Sequence, residues 1–292
     1  MIKVKDIRKS FGAKDVLKGV SFQVGRGEIY GLIGKNGAGK TTLMNIMSGL
    51  ISADGGSCNV DGDTSQKKHI GYLPDLPEFY DYLTTDEYLD FLLMNSDKKD
   101  SKKLDRRNEL LDMVGLPAGT KARTMSRGMR QRLGIAGVLV NDPEVVLMDE
   151  PTSALDPSGR NDVRSILRRL KDAGKTVILS THILADMDSI CDKAGFLSNG
   201  VIVKEVDVAK SRENSSEMII KFSTEPDLDT LYRFAPSLFV IDPVTVRIVL
   251  DKEHKLESQQ SALSGLAALP QEIVSISSAA VSLDNIFQEV CL

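Results

Sequence analysis

The nine residues Gly34-Lys35-Asn36-Gly37-Ala38-Gly39-Lys40-Thr41-Thr42 constrain this chain more than any other segment. They follow the apolar run Ile29-Tyr30-Gly31-Leu32-Ile33, so the pattern reads as strand, glycine-rich loop and helix start. Gly34, Gly39, Lys40 and Thr41 stand in the register G-x-x-x-x-G-K-[ST] of a phosphate-binding loop. Without a Cβ, Gly37 and Gly39 let the backbone take φ > 0 and approach phosphate oxygens closely. Backbone N–H groups from Lys35, Asn36, Ala38 and Thr42 then point inward, and the positive end of the following helix adds to the attraction. Lys40 supplies a point charge for the β- and γ-phosphates, and Thr41 a hydroxyl for Mg²⁺. The implied ligand is a nucleoside triphosphate.

A second acidic element lies further along. Val145-Val146-Leu147-Met148 reads as a buried parallel strand. It delivers Asp149 and Glu150 at its C-terminal end, where ligands sit in open α/β sheets. Asp149 is the expected acidic partner of Mg²⁺, through water. Glu150, one residue on, points differently and suits a general base that polarises water. Between the two elements, Ser126 heads a helix through Met129, Leu133, Ala136 and Val140, for which it is a good N-cap.

In order, these segments resemble the ATPase subunit of an ATP-binding cassette (ABC) transporter over about residues 1 to 205. Phe11 matches the aromatic that stacks on adenine, although a lone aromatic near an N-terminal strand packs in a core more often than not. Ser126-Arg127-Gly128-Met129-Arg130-Gln131 matches the family's signature motif, Ser153-Ala154-Leu155-Asp156 its dimer-crossing loop, and Ser180-Thr181-His182 its switch histidine. The resemblance implies ATP on Phe11 and the phosphate loop, with Ser126 and Gly128 of a second copy closing over the γ-phosphate. His182 would contact that phosphate, while Thr41 and Asp149 hold Mg²⁺. One copy of each motif implies a homodimer, or pairing with a close paralogue.

Two positions depart from the family pattern. After Ile70-Gly71-Tyr72-Leu73-Pro74 the usual glutamine is Asp75, a shorter, charged residue that can still reach Mg²⁺ through water. In the signature, the residue after Ser126 is Arg127 rather than glycine, adding a cation near a γ-phosphate or simply facing solvent. Both features resemble the branch that exports drugs, antibiotics, lipids or peptides.

A net charge of −4 argues against broad nucleic-acid affinity, which depends on Lys and Arg neutralising phosphates. No apolar stretch approaches the ~18 residues that span a bilayer, and the N-terminus lacks a signal-peptide layout. Cys58, Cys191 and Cys291 have no metal-ligand spacing and an odd count, so they read as reduced cysteines of a cytoplasmic protein. A transporter role would therefore need a separate multi-span permease, with this chain peripheral on the inner membrane face.

The expected fold is α/β: a P-loop NTPase of the ABC type with an antiparallel β subdomain and a helical subdomain at about 76–141. Thr84 with Glu87 is a capping box for a helix striped by Tyr88, Leu89, Leu92 and Leu93. Gly115 ends another helix, and Asp97–Lys103 is a charged loop. Asp156-Pro157 opens a helix carrying Val163, Ile166, Leu167 and Leu170 and ending at Gly174. Thr176–Ser180 is the next buried strand. Residues 1–206 form the ATPase domain, Ala209–Ser216 a polar linker, and 217–292 a small α+β domain. The order βαββαβ plus a helix suggests a ferredoxin-like fold for the latter, with a dimerisation or regulatory role. His254, among charged residues, reads as solvated.

A second class is a soluble ABC-type ATPase acting on nucleic acid or ribosomes. Neither the long coiled coils and zinc modules of DNA-repair members nor a second cassette is present. The discriminating segment is Pro77–Leu83, where Phe79, Tyr80 and Tyr82 either pack locally or form an exposed patch for a permease helix.

Overall fold

The computed structural model describes residues 1–60, 70–96, 103–153, 155–184, 189–213, 217–235, 237–251, 255–267, 269–278 and 283–291. Ala154, His254, most of the 97–103 charged run and 214–216 of the expected linker lie outside them. Two compact units are present: Met1–Val206 with Ile286–Leu292, and Asp207–Asn285. The second unit thus begins before the expected residue 217, and the last helix is divided between the two.

In the first unit, β1 (Ile2–Phe11), β2 (Lys14–Val24) and β4 (Gly55–Val60) make an antiparallel sheet in the order β2-β1-β4. Strand β1 alternates in burial, with Ile2, Val4 and Ile7 inward. The main sheet contains β3 (Ile29–Ile33), β5 (Ile70–Leu73), β6 (Val145–Met148), β7 (Thr176–Thr181), β8 (Lys193–Ser198) and β9 (Val201–Asp207). Its order is β5-β6-β7-β3-β8-β9, and β5, β6, β7, β3 and β8 run parallel. Every residue of β3, β6 and β7 is buried, as in strands covered on both faces. The two sheets share one core, in which Phe22 stacks on Tyr30 with ring centroids 4.8 Å apart.

Because β3, β7 and β6 are adjacent and parallel, the loops after them open on one sheet edge. Helix α1 (Lys40–Met47) follows β3 directly. Helices α2 (Thr85–Met94), α3 (Lys103–Val114) and α4 (Arg127–Val138) separate β5 from β6. Thr84 caps α2 in the expected box: its hydroxyl accepts from Glu87 N, and the Glu87 carboxylate accepts from Thr84 N. Gly115 follows α3 with φ 62°, the left-handed turn that ends a helix. Helix α5 (Pro157–Asp172) starts at the Asp156 cap and buries Val163, Ile166, Leu167 and Leu170.

The expected linker is helical at its start. Helix α6 (Val208–Glu213) follows β9 without a break. Its polarity misleads because two local features outweigh it: Asp207 Oδ1 accepts from Lys210 N at 2.9 Å as a cap, and Val208 is buried.

The second unit contains β10 (Glu217–Phe222), α7 (Leu228–Phe234), β11 (Leu238–Asp242), β12 (Thr245–Val249), α8 (Lys255–Ala267) and β13 (Ile273–Ser278). Helix α9 (Leu283–Cys291) follows. All neighbours in the sheet β11-β12-β10-β13 are antiparallel, the ferredoxin-like arrangement. Ile220, Phe222, Val246 and Ile248 pack with Leu231, Ala262 and Leu266 into its own core. Among the described residues, no helix is long and apolar enough to cross a membrane.

Candidate functional site

The loop after β3 takes the shape its glycines allow. Gly39 has φ 107°, and a Cβ there would sit 2.8 Å from Leu17 Cδ2. At Gly34 a Cβ would lie 2.5 Å from the Leu197 carbonyl oxygen, so the loop can run against β8 only without a side chain. Lys40 curls back under the loop: its ammonium donates to Gly34 O at 2.7 Å and Lys35 O at 3.3 Å. The side chain is only 6% exposed and stands 3.2 Å from Glu150 Oε1. That oxygen is buried and accepts no hydrogen bond among the described residues, so the charge pair alone compensates it.

Glu150 leaves β6 with φ 48°, a left-handed conformation unusual for a residue with a side chain. Such strain persists only where the surroundings fix it. Here Ser180 and His182, from the end of β7, do so. The Ser180 hydroxyl accepts from Glu150 N at 2.9 Å and donates to Asp149 Oδ1 at 2.5 Å. His182 Nδ1 lies 2.8 Å from Glu150 Oε2, and Asp149 N bonds Leu73 O of β5. One buried hydroxyl therefore braces both acids. Pattern reading of the β7 segment stopped at His182 and missed Ser180. The signal is pairing: Met148 stands opposite Leu179, which brings Ser180 beside Asp149.

An open cleft of about 510 Å³ gathers most of the expected residues. Phe11, Asn36, Gly37, Gly39, Lys40, Thr41, Thr42, Asp75, Asp149 and Glu150 line it, together with Lys14 and Val16, which the sequence reading did not single out. Phe11 is 52% exposed at its mouth, with Lys9 Nζ 5.4 Å from the ring centroid. Lys35, Gly37 and Ala38 border a neighbouring cleft with Lys18 and Asn199. Asp75 shares the nucleotide cleft, but its Oδ1 accepts from Ser153 Oγ at 2.8 Å and faces Arg127 at 3.8 Å. Ser126 and Gly128 are not in the cleft lining. Ser126 caps the N-terminal end of α4, its hydroxyl accepting from Met129 N at 3.2 Å.

Burial first, then the charges of Asp149 and Asp75, push the Tyr72 phenol up to about 12. Thr41, Asp149 and Asp75 offer only oxygen atoms, the donors Mg²⁺ prefers. Among the described residues no group of three or more His, Cys, Asp or Glu could hold a metal. An ion here would take its remaining ligands from water and phosphate, as Mg²⁺ commonly does.

A family model described as ABC transporter matches residues 17–153. An uncharacterised ABC transporter ATP-binding protein of Synechocystis is 37% identical over 283 residues, covering 93% of this chain and 77% of that protein. The chain belongs to the ABC transporter ATP-binding family. The lantibiotic transport ATP-binding protein SrtF of Streptococcus pyogenes is 35% identical over 75% of this ABC subunit and 95% of its own length. A solved ATP-binding cassette, described as dimeric and in a post-hydrolysis state with ADP and Pi, matches with TM-score 0.64 and 27% identity. That match covers 71% of this chain and 99% of the cassette. The ABC subunit is accordingly an ATP-binding ATPase.

Proposed function

We propose that this subunit powers export by a separate multi-span permease, hydrolysing ATP at sites completed by a second ATP-binding subunit. One observation carries the reading: Ser126 and Gly128 lie outside the cleft that Lys40, Asp149 and Glu150 line. Ser126 and Gly128 thus stand apart from the cleft of their own chain and need a second chain to reach a γ-phosphate. In a head-to-tail pair, with itself or a paralogue, the α4 head of one copy covers the γ-phosphate in the other. Similarity to a lantibiotic transport subunit supports an amphipathic peptide or drug-like cargo, and the export direction rests on the branch resemblance of Asp75 and the signature segment. The same reading puts the chain on the cytoplasmic face of the membrane, held there by the permease.

In the closed site Phe11 stacks on the base, and the Gly34–Thr42 backbone and Lys40 hold the phosphates. Lys40 must leave Glu150 for the phosphates, which frees the Oε1 now 3.2 Å away. Mg²⁺, held by Thr41 and Asp149 and through water by Asp75, would neutralise phosphate charge. Glu150 accepts a proton from water as the water oxygen bonds to the γ-phosphorus. The bond from that phosphorus to the bridging oxygen breaks, and ADP leaves with the electron pair. His182 holds the Glu150 carboxylate in place and reaches the γ-phosphate. Energy for transport comes from closing the pair on ATP and opening it after hydrolysis.

Gly128→Asp tests the shared site. A carboxylate at the α4 head repels the partner's γ-phosphate, so ATP-driven association, read by light scattering, should disappear while each separate chain still titrates ATP. Association equal to that of the parent would refute the shared site.

The permease contact proposed for 77–83 divides by residue. Phe79 is half-buried, edge-on to Tyr88 at 5.0 Å, with Arg130 over its ring at 5.6 Å. Tyr80 and Tyr82 are 52% and 71% exposed and lie with Phe91 in an aromatic patch. The patch, rather than Phe79, is the docking surface.

A further inference from the structure

The two departures from the family pattern, Asp75 and Arg127, face one another in this structure. We infer that they act as a matched pair, with Asp75 a positioning residue that joins the loop bearing Glu150 to the head of α4 within one chain. The inference rests on the nucleotide-site reading above and assigns a role that reading leaves open.

Arg127 is the first residue of α4, where the positive end of the helix dipole disfavours a cation. The first turn contains no acidic residue to offset it. Its compensation comes from Asp75 Oδ1, 3.8 Å from the guanidinium. The same Oδ1 accepts from Ser153 Oγ at 2.8 Å. Ser153 closes the turn after β6, its N–H donating to Glu150 O at 3.0 Å. One carboxylate oxygen therefore touches the Glu150 turn on one side and the signature segment on the other.

A second pair repeats the connection one turn along. Arg130 Nη2 stands 3.2 Å from Asp81 Oδ1, and its guanidinium also covers the Phe79 ring. The segment from Asp75 to Asp81 is thus held against one helix head by two arginines. Asp75 and Arg127 are 45% and 47% exposed, so their attraction is too screened to matter for folding. A weak pair is enough to set the position of the α4 head relative to the Glu150 turn without adding to the stability of the fold. The glutamine usual at position 75 could not make this ion pair, and the glycine usual at 127 would have no charge to answer.

A double-mutant cycle tests this. Asp75→Asn, Arg127→Gln and the double variant are compared for turnover, KM for Mg-ATP and thermal melting, with Asp75→Glu and Arg127→Lys as conservative rescues. Each single variant should melt normally, keep KM within about twofold and lower kcat about fivefold. The double should also fall about fivefold rather than about twenty-five-fold, since neighbouring charges acting as a unit are non-additive. The conservative variants should recover most of the rate. If Asp75 serves only as an ion ligand, Asp75→Asn raises KM, Arg127→Gln leaves kcat untouched, and the effects multiply. That outcome overturns the pairing while leaving the nucleotide site intact, whereas loss of ATP binding by Lys40→Ala is the separate check on the site itself.

Discussion

Ser180→Ala should damage this ATPase more than a surface-like hydroxyl substitution suggests. Ser180 is fully buried, and its Oγ has two partners: the Glu150 amide, which it accepts at 2.9 Å, and Asp149 Oδ1, to which it donates at 2.5 Å. Alanine fits the space but leaves a buried N–H and a buried carboxylate oxygen each without this partner. An unsatisfied buried group costs roughly 1–3 kcal/mol, more if charged, so a loss of about 3 kcal/mol is expected. For a unit of this size, that lowers the melting temperature by ~6–12 °C. Ser153→Ala is the control. Its hydroxyl also binds a carboxylate, but that carboxylate is 45% exposed and water replaces the donor, so the shift should stay within ~1 kcal/mol. Calorimetry of both variants, with ATP turnover on the same samples, separates the cases. Turnover of Ser180→Ala should fall as well, because the Glu150 backbone loses the anchor for its φ of 48°. A Ser180→Ala melting temperature within about 2 °C of the parent would falsify the bracing role.

Lys40→Ala should weaken ATP binding itself, since the ammonium faces the phosphates in ground and transition states alike; unchanged affinity in a direct titration would rule out the phosphate-loop assignment. Tyr80→Asp should melt like the parent and hydrolyse ATP but fail to co-purify with the permease, because Tyr80 is half-exposed. Phe79→Asp should instead melt lower, as a charge replaces a ring packed on Tyr88. Equal behaviour of the two variants would contradict the division of this segment.

The cleft was legible because its chemistry is local. Gly34–Thr42 are consecutive, and Asp149 and Glu150 follow an apolar run whose length and β-branching mark a buried strand. The helix caps at Thr84 and Asp156 were readable for the same reason, one from Glu87 three residues on and the other from the adjacent Pro157. The bracing of Asp149 and Glu150 by Ser180 was not, because strand order is decided by packing between segments some 30 residues apart. Nor was the Asp75–Ser153–Arg127 contact, which joins two loops to the head of α4 across the fold. The start of the presumed linker misled for a different reason. Polar composition describes what a segment cannot bury, while one capping carboxylate and one buried valine suffice to begin a short helix at Val208. Phe79 and Tyr80 are adjacent aromatics with different surroundings, a distinction that composition cannot make.

The central claim is that Lys40 binds the nucleotide while Glu150 reacts. Glu150→Gln keeps the size of the side chain and its place between Lys40 and His182, but its amide cannot take a proton from water. The decisive measurement is single-turnover hydrolysis of radiolabelled Mg-ATP by this variant, with nucleotide retention followed on a sizing column. Hydrolysis should slow ~10²–10⁴-fold, the usual worth of a general base. Intact ATP should co-elute with a dimer. Hydrolysis at the parent rate, with ADP released from monomers, would contradict the account.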